Sequence, residues 1–170
     1  MAINDIFTAR LRLVAMTPTL LDADGESAPA LASLLGASVP AEWPDANWEP
    51  HVLSFIKRQL AERTETAGWH RYVLLRGVQQ TLIGTCNAHP TGEHEAEIGY
   101  AVLQPWQGCG YATEATRALL QGVFASGARS VVAHTFPHLP SSIRVMEKCG
   151  FTFDGQGKEG TVRYRLERST

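Results

Sequence analysis

Polar and apolar positions change period several times along the chain. At 8–14, TARLRLV sets Leu11 and Leu13 against Arg10 and Arg12, the period-2 pattern of a half-buried strand. The following LLDADGESAPALASLLGAS (20–38) predicts one or two short helices interrupted near Gly25 and Pro29. Residues 39–50 hold three prolines and two tryptophans, which predicts an ordered loop, since proline breaks regular structure while tryptophan favours burial. From 52 to 67 the helical period returns, with Leu53, Ile56 and Leu60 on one face, and Gly68 is a natural stop. Three strands follow at 69–76, 81–88 and 96–103, separated by turn residues, and these predict an antiparallel meander.

The second half alternates helix and strand. A helix is expected over 111–124, with Ala112, Ala115, Leu119 and Val123 on one face. Strand 130–135, helix 141–149 with Gly150 as its stop, a strand beginning at 151–153 and a last strand at 161–166 complete the order. Helices must cover sheet faces, so the expectation is a mixed α/β domain around one central sheet, with 1–170 as a single domain.

Composition narrows this picture by exclusion. A length of 170 residues suits one domain at roughly 150 residues each. Apolar residues make up 44% and charged residues 19%, which is globular rather than disordered. No apolar run reaches the roughly 18 residues of a membrane span, and no signal peptide is visible, so a cytoplasmic protein without a membrane partner is expected. A net charge of −2 argues against general nucleic-acid binding. Three cysteines, Cys86, Cys109 and Cys149, suggest neither a disulfide framework nor a zinc site, and none of the six histidines forms a metal motif.

The chemistry concentrates in Glu97–Ala115, EIGYAVLQPWQGCGYATEA. A strand runs into Gln107-Gly108-Cys109-Gly110-Tyr111-Ala112, where a helix begins. A helix N-terminus exposes backbone N–H groups and carries about half a positive charge. Two glycines let the backbone wrap closely around a ligand, and the ligand suited to this geometry is a pyrophosphate. The run lacks the GxxxxGK[ST] of a mononucleotide loop, and Thr113 stands where a dinucleotide fingerprint needs its third glycine. A literal GxGxxG at Gly155–Gly160 precedes a strand, so it reads as a hairpin turn.

QGCGYA matches the Q/R-x-x-G-x-G/A signature of the GNAT acyl-CoA-dependent N-acyltransferases. With ATEA directly after it, SSIRVMEKCGF at 141–151 and the opening TARLRL, the whole chain resembles the RimJ/RimL branch of that family. The resemblance implies a mostly antiparallel, splayed sheet of about seven strands flanked by helices. Strands 96–103 and 130–135 would part at their C-terminal halves, and the pantetheine arm of acetyl-CoA would fill the gap. The backbone of Val102 and Leu103 would pair with that arm, while Gln107 to Ala112, with Thr113, would hold the pyrophosphate.

The resemblance also implies roles for particular side chains. Glu97 is the expected general base, through water, with Glu95 as its substitute. Ser142 is expected near the cofactor thiol as an acid, and equally as the N-cap of its helix. Trp43 and Trp48, with Glu42, Asp45 and Glu49 nearby, would wall the acceptor side or simply pin their loop. Cys109 is a spacer whose backbone matters rather than a nucleophile. Many relatives carry an acidic tyrosine where Met146 stands, and an asparagine where Leu139 or Pro140 stands, so the proton donor is unassigned.

The resulting expectation is acetyl transfer from acetyl-CoA to a primary amine, either a protein N-terminus or a small molecule, by direct attack and without a metal. The resemblance also allows a homodimer. Two rivals stand beside it: a non-catalytic acyl-CoA-binding module, motivated by Met146, and a nucleotide-binding regulatory domain resting on the glycine loop alone.

Overall fold

The period-2 segment becomes β2 (Leu11–Ala15), with Leu11 and Leu13 fully buried, in a computed structural model that describes residues 3–170. It pairs with β1 (Ile6–Phe7), a strand too short to show any period in the sequence. Two helices follow, α1 (Pro18–Glu26) and α2 (Ala28–Leu35), and the break between them falls on Ser27. Ser27 ends the first helix and caps the second, its hydroxyl accepting the Ala30 N–H. α3 (Pro50–Glu62) starts two residues earlier than the apolar period suggests, because Pro50 is suited to a first helical turn.

Strands β3 (His70–Leu75), β4 (Thr81–Pro90) and β5 (Glu95–Val102) form the expected antiparallel meander. Then come α4 (Tyr111–Ala125), β6 (Ser130–Thr135), α5 (Pro140–Lys148), β7 (Thr152–Gln156) and β8 (Val162–Glu167). Among the described residues all eight strands form one sheet in the order β1-β2-β3-β4-β5-β6-β8-β7. The count exceeds the expected seven by the short β1. The Gly155–Gly160 run begins in the last two residues of β7 and passes through a 3-10 turn at Lys158–Gly160 toward β8, so it leads into a strand and not a helix.

Every pairing is antiparallel except β5 with β6. That parallel pair begins at Glu95↔Ser130 and ends at Ile98↔Ala133. Beyond it β5 runs on to Val102 and β6 to Thr135 without touching, so the sheet opens into a V. One sheet face, carrying Ala96, Ile98, Cys86 and Ala88, packs on α4 and on Met146 of α5. The other, carrying Tyr72, Leu74 and Leu82, packs on Leu21, Leu31 and Ile56 of the first three helices. β4 is covered on both faces, so burial runs unbroken from Leu82 to Cys86 whether the residue is apolar or Thr85. Among the described residues no helix is long and apolar enough to cross a membrane.

Candidate active site

The glycine loop is shaped by its backbone. After β5 the chain makes a 3-10 turn at Gln104–Trp106, and Gly108 and Gly110 then take φ of 77° and 84°. An L side chain at either φ would be strained, so both positions need glycine. Gly110 is the N-cap of α4, and no side chain caps this end. The first-turn amides of α4 therefore open onto the V-shaped groove, which has a volume of about 640 Å³. Gln107, Gly108, Gly110, Tyr111, Ala112 and Thr113 line one wall, and Ser141, Ser142, Arg144 and Lys148 from α5 line the other. Arg144 and Lys148 supply local positive charge in a chain of net charge −2.

The N-terminal hairpin grips this loop from outside. Arg10 pairs with Glu114 at 2.8 Å, donates to the Cys109 carbonyl at 2.9 Å and stacks over the Tyr111 ring. Burial alone would raise the Glu114 carboxyl, but hydrogen bonds from Thr8 and Arg10 hold it below its usual range. Cys109 itself is exposed and takes part through that carbonyl. Nothing in the sequence motif announced Arg10; its only signal was a position beside the first strand.

Val102 and Leu103 are placed differently from one another. Val102 lines the groove, and its carbonyl accepts Nε2 of Gln107 at 2.8 Å. The Leu103 N–H donates to Ile83, and its side chain is buried toward the first three helices.

A second cavity of about 250 Å³ lies on the α3 side of β4 and β5. Trp43 and Trp48 wall it together with Asp45, Asn47, Thr85 and Asn87. The two indoles sit 5.7 Å apart, and their N–H groups donate to the two oxygens of Asp24 at 3.1 and 2.8 Å. The Tyr72 hydroxyl donates to the same carboxylate at 2.8 Å. The tryptophan loop is thus both pinned and part of the wall, and Asp24 of α1 is the residue that makes it so. The Asp24 carboxylate drew no attention in the sequence because its three donors lie 19 to 48 positions away.

The groove and the cavity share Asp45, Asn47, Tyr100 and Ala101. Tyr100 is the polar side chain at this junction that motif reading did not single out. Its hydroxyl donates to the Ser142 carbonyl at 2.8 Å and lies 3.2 Å from Ser142 Oγ. Burial pushes that hydroxyl above its usual range, with the Ser142 contact opposing, so it stays protonated. The signal was present: Tyr100 stands on the strand leading to the glycine loop, at the end where β5 leaves β6. Ser142 does not cap its helix. Leu139 occupies that position, and Ser142 lies inside the first turn with its hydroxyl turned toward Tyr100. Met146 is buried at 2% exposure in the core and does not line the groove.

Glu97 lines neither cavity. Its carboxylate meets His134 Nδ1 at 2.9 Å and His89 Nε2 at 3.6 Å. Burial lowers the His89 imidazole, and Glu97 partly restores it. Glu97, Gly99 and Ala101 alternate along one face of β5, and Gly99, which lines the cavity, leaves the strand bare between Glu97 and that cavity. Glu95 is held by Arg165 at 2.7 Å and by Thr91 at 2.9 Å. Among the described residues no cluster of three His, Cys, Asp or Glu is placed to hold a metal ion.

Comparison with known proteins agrees with this geometry. The chain is 23% identical over 155 residues to the N-acetyltransferase YjdG of Bacillus subtilis (strain 168), covering 89% of this chain and 92% of the relative. An acetyltransferase structure from Agrobacterium tumefaciens str. C58 superposes with a TM-score of 0.68 at 21% identity, covering 99% of this chain and 96% of that one. A structure of RimL, a ribosomal L7/L12 alpha-N-protein acetyltransferase in complex with coenzyme A, gives 0.64 at 19% identity, covering 96% of this chain and 98% of that one. The profile of the acetyltransferase (GNAT) domain matches residues 10–152, and the chain therefore belongs to the GNAT acetyltransferase family.

Proposed function

We propose that the chain, working as one domain over 1–170, is an N-acetyltransferase of the RimJ/RimL-like kind that transfers acetyl from acetyl-CoA to a primary amine by direct attack. One observation carries this reading: a groove suited to a polyanion and a cavity suited to a small amine meet at Tyr100 and Ala101, where β5 leaves β6, with Asp45 and Asn47 of the tryptophan loop lining both. Acetyl-CoA supplies the acyl group as a thioester. The backbone of Gln107 to Thr113 holds its pyrophosphate, with Arg144 and Lys148 nearby.

Amide formation requires a proton to leave the amine and a proton to reach the thiolate. Tyr100, with Ser142 behind it, is the donor. Glu97 is the base, reached by water across the bare surface at Gly99 and steadied by His134. The acceptor is a small amine or the extended N-terminus of a peptide, because a cavity of about 250 Å³ admits a chain end rather than a folded surface. The RimL relative acts on a protein alpha-amine, which supports the second form. Met146 in place of the usual tyrosine motivated a non-catalytic reading; a hydroxyl pair at the junction of the two cavities supports catalysis instead.

The test is thiol release from acetyl-CoA against a panel of peptide and small amines, with wild type and Glu97→Gln. Amine-dependent release that falls in the variant is expected. Tight acetyl-CoA binding without release on any amine would favour a binding module.

A further inference from the structure

We infer that Asn87 receives an N–H of the acceptor amine on its side-chain carbonyl, and that buried His70 holds the amide in that orientation. The inference rests on the acetyltransferase reading above and adds to it the group that orients the acceptor.

The orientation follows from counting protons. The Ala88 carbonyl can only accept, and it is met by Gln59 Nε2 at 3.2 Å. The second hydrogen of that amide goes to Thr66 Oγ1 at 3.1 Å, whose own hydroxyl is spent on the Arg63 carbonyl at 2.7 Å. Gln59 Oε1 therefore faces His70, and His70 Nε2, 3.0 Å away, must carry a hydrogen. His70 is 2% exposed with no carboxylate against it, and burial lowers its pKa to about 4. The ring is thus neutral, and Nδ1 is a bare acceptor.

Asn87 Oδ1 is placed 3.1 Å from that Nδ1, and Asn87 Nδ2 3.2 Å from Thr85 Oγ1. Two acceptors cannot share the first contact, so we assign the amide the other way round, with its NH2 donating to His70 and its carbonyl on the Thr85 side. There the Thr85 hydroxyl is within reach to donate to it. Both Asn87 and Thr85 line the acceptor cavity. Asn87 pairs with Gly99, whose missing side chain leaves the cavity side of β5 open beside it. A carbonyl there accepts from an amine N–H and aims the nitrogen lone pair elsewhere, which an amide NH2 could not do. His70 and Gln59 act through Asn87 and are positioning residues.

The full chain with 15N-labelled histidine should show His70 at pH 7 as the neutral Nε2–H tautomer. An Nδ1–H tautomer or an imidazolium there would overturn the assignment. Asn87→Asp sets a carboxylate oxygen against Nδ1, so His70 should become an imidazolium at pH 7; a ring that stays neutral removes the contact. The kinetic probes are spermidine and a tetrapeptide with a free N-terminal serine. Asn87→Ala should raise the amine KM about tenfold or more while the acetyl-CoA KM stays within about twofold. Thiol release with an unchanged amine KM sinks the role of Asn87 alone. No release by wild type with either amine counts against acetyl transfer to such acceptors, and the Asn87 role falls with it.

Discussion

The two halves of the site are built by opposite means. The phosphate end of the proposed coenzyme groove is made of backbone: two glycines with positive φ and an uncapped helix end within one local run, facing side chains of α5. The proposed acceptor cavity is made of side chains from separate elements, Trp43 and Trp48 from a loop, Asn87 from β4 and Tyr100 from β5, tied together by Asp24 of α1. A backbone site tolerates change of side chain but not of conformation. A side-chain site depends on each hydrogen bond. Substitutions should therefore separate the two halves cleanly.

The largest effect is expected from Gly110→Asp. It places a Cβ at φ 84° and a carboxylate where the phosphates should sit, and the ideal Cβ lies 3.3 Å from Arg10 Nη2. Calorimetry should show CoA affinity falling by about 1,000-fold, or about 4 kcal/mol. Unchanged affinity would remove the phosphate role of the loop. Next comes Asp24→Ala, which strips the acceptor from three buried or half-buried donors, Trp43, Trp48 and Tyr72. A loss of about 3 kcal/mol in denaturant unfolding is expected, with the amine KM raised and CoA affinity per folded molecule retained. Equal damage to both affinities would show that the two halves are not separable. Tyr100→Phe, at their junction, should leave both affinities in place and lower kcat about 100-fold.

This contrast also explains what the sequence disclosed. The glycine loop is local: a strand, a Gly-x-Gly run and a helix start occupy adjacent positions, so their pattern is visible in one window, whereas the V between β5 and β6 was expected only through the family resemblance. The orders of strand and helix were likewise set by hydrophobic period. Asp24, Arg10 and Asn87 were invisible because their partners are brought together only by the fold. Ser142 shows the intermediate case. A serine near a helix start suggests a cap, but Pro140 moves the helix start back to Leu139, and the hydroxyl turns to Tyr100. Tyr100 was within reach by parity along β5, yet a motif that names glycines does not name it.

The smallest effect comes from pH, and it belongs to the side-chain half alone. His70 in the unfolded chain has an ordinary pKa of about 6.5, and in the folded protein burial lowers it to about 4. Between these values the unfolded state binds more protons, so stability rises with pH. The contribution is complete above about 6.5 and is lost as pH falls toward 4, at no more than about 1.4 kcal/mol per unit. The melting temperature of wild type should fall across this window, and His70→Gln, which removes the titrating ring, should show a shallower slope whatever its absolute stability. Parallel slopes for the two proteins would mean that His70 is not buried as a neutral ring. The acceptor cavity would then lack the fixed amide that distinguishes it from the backbone-built groove beside it.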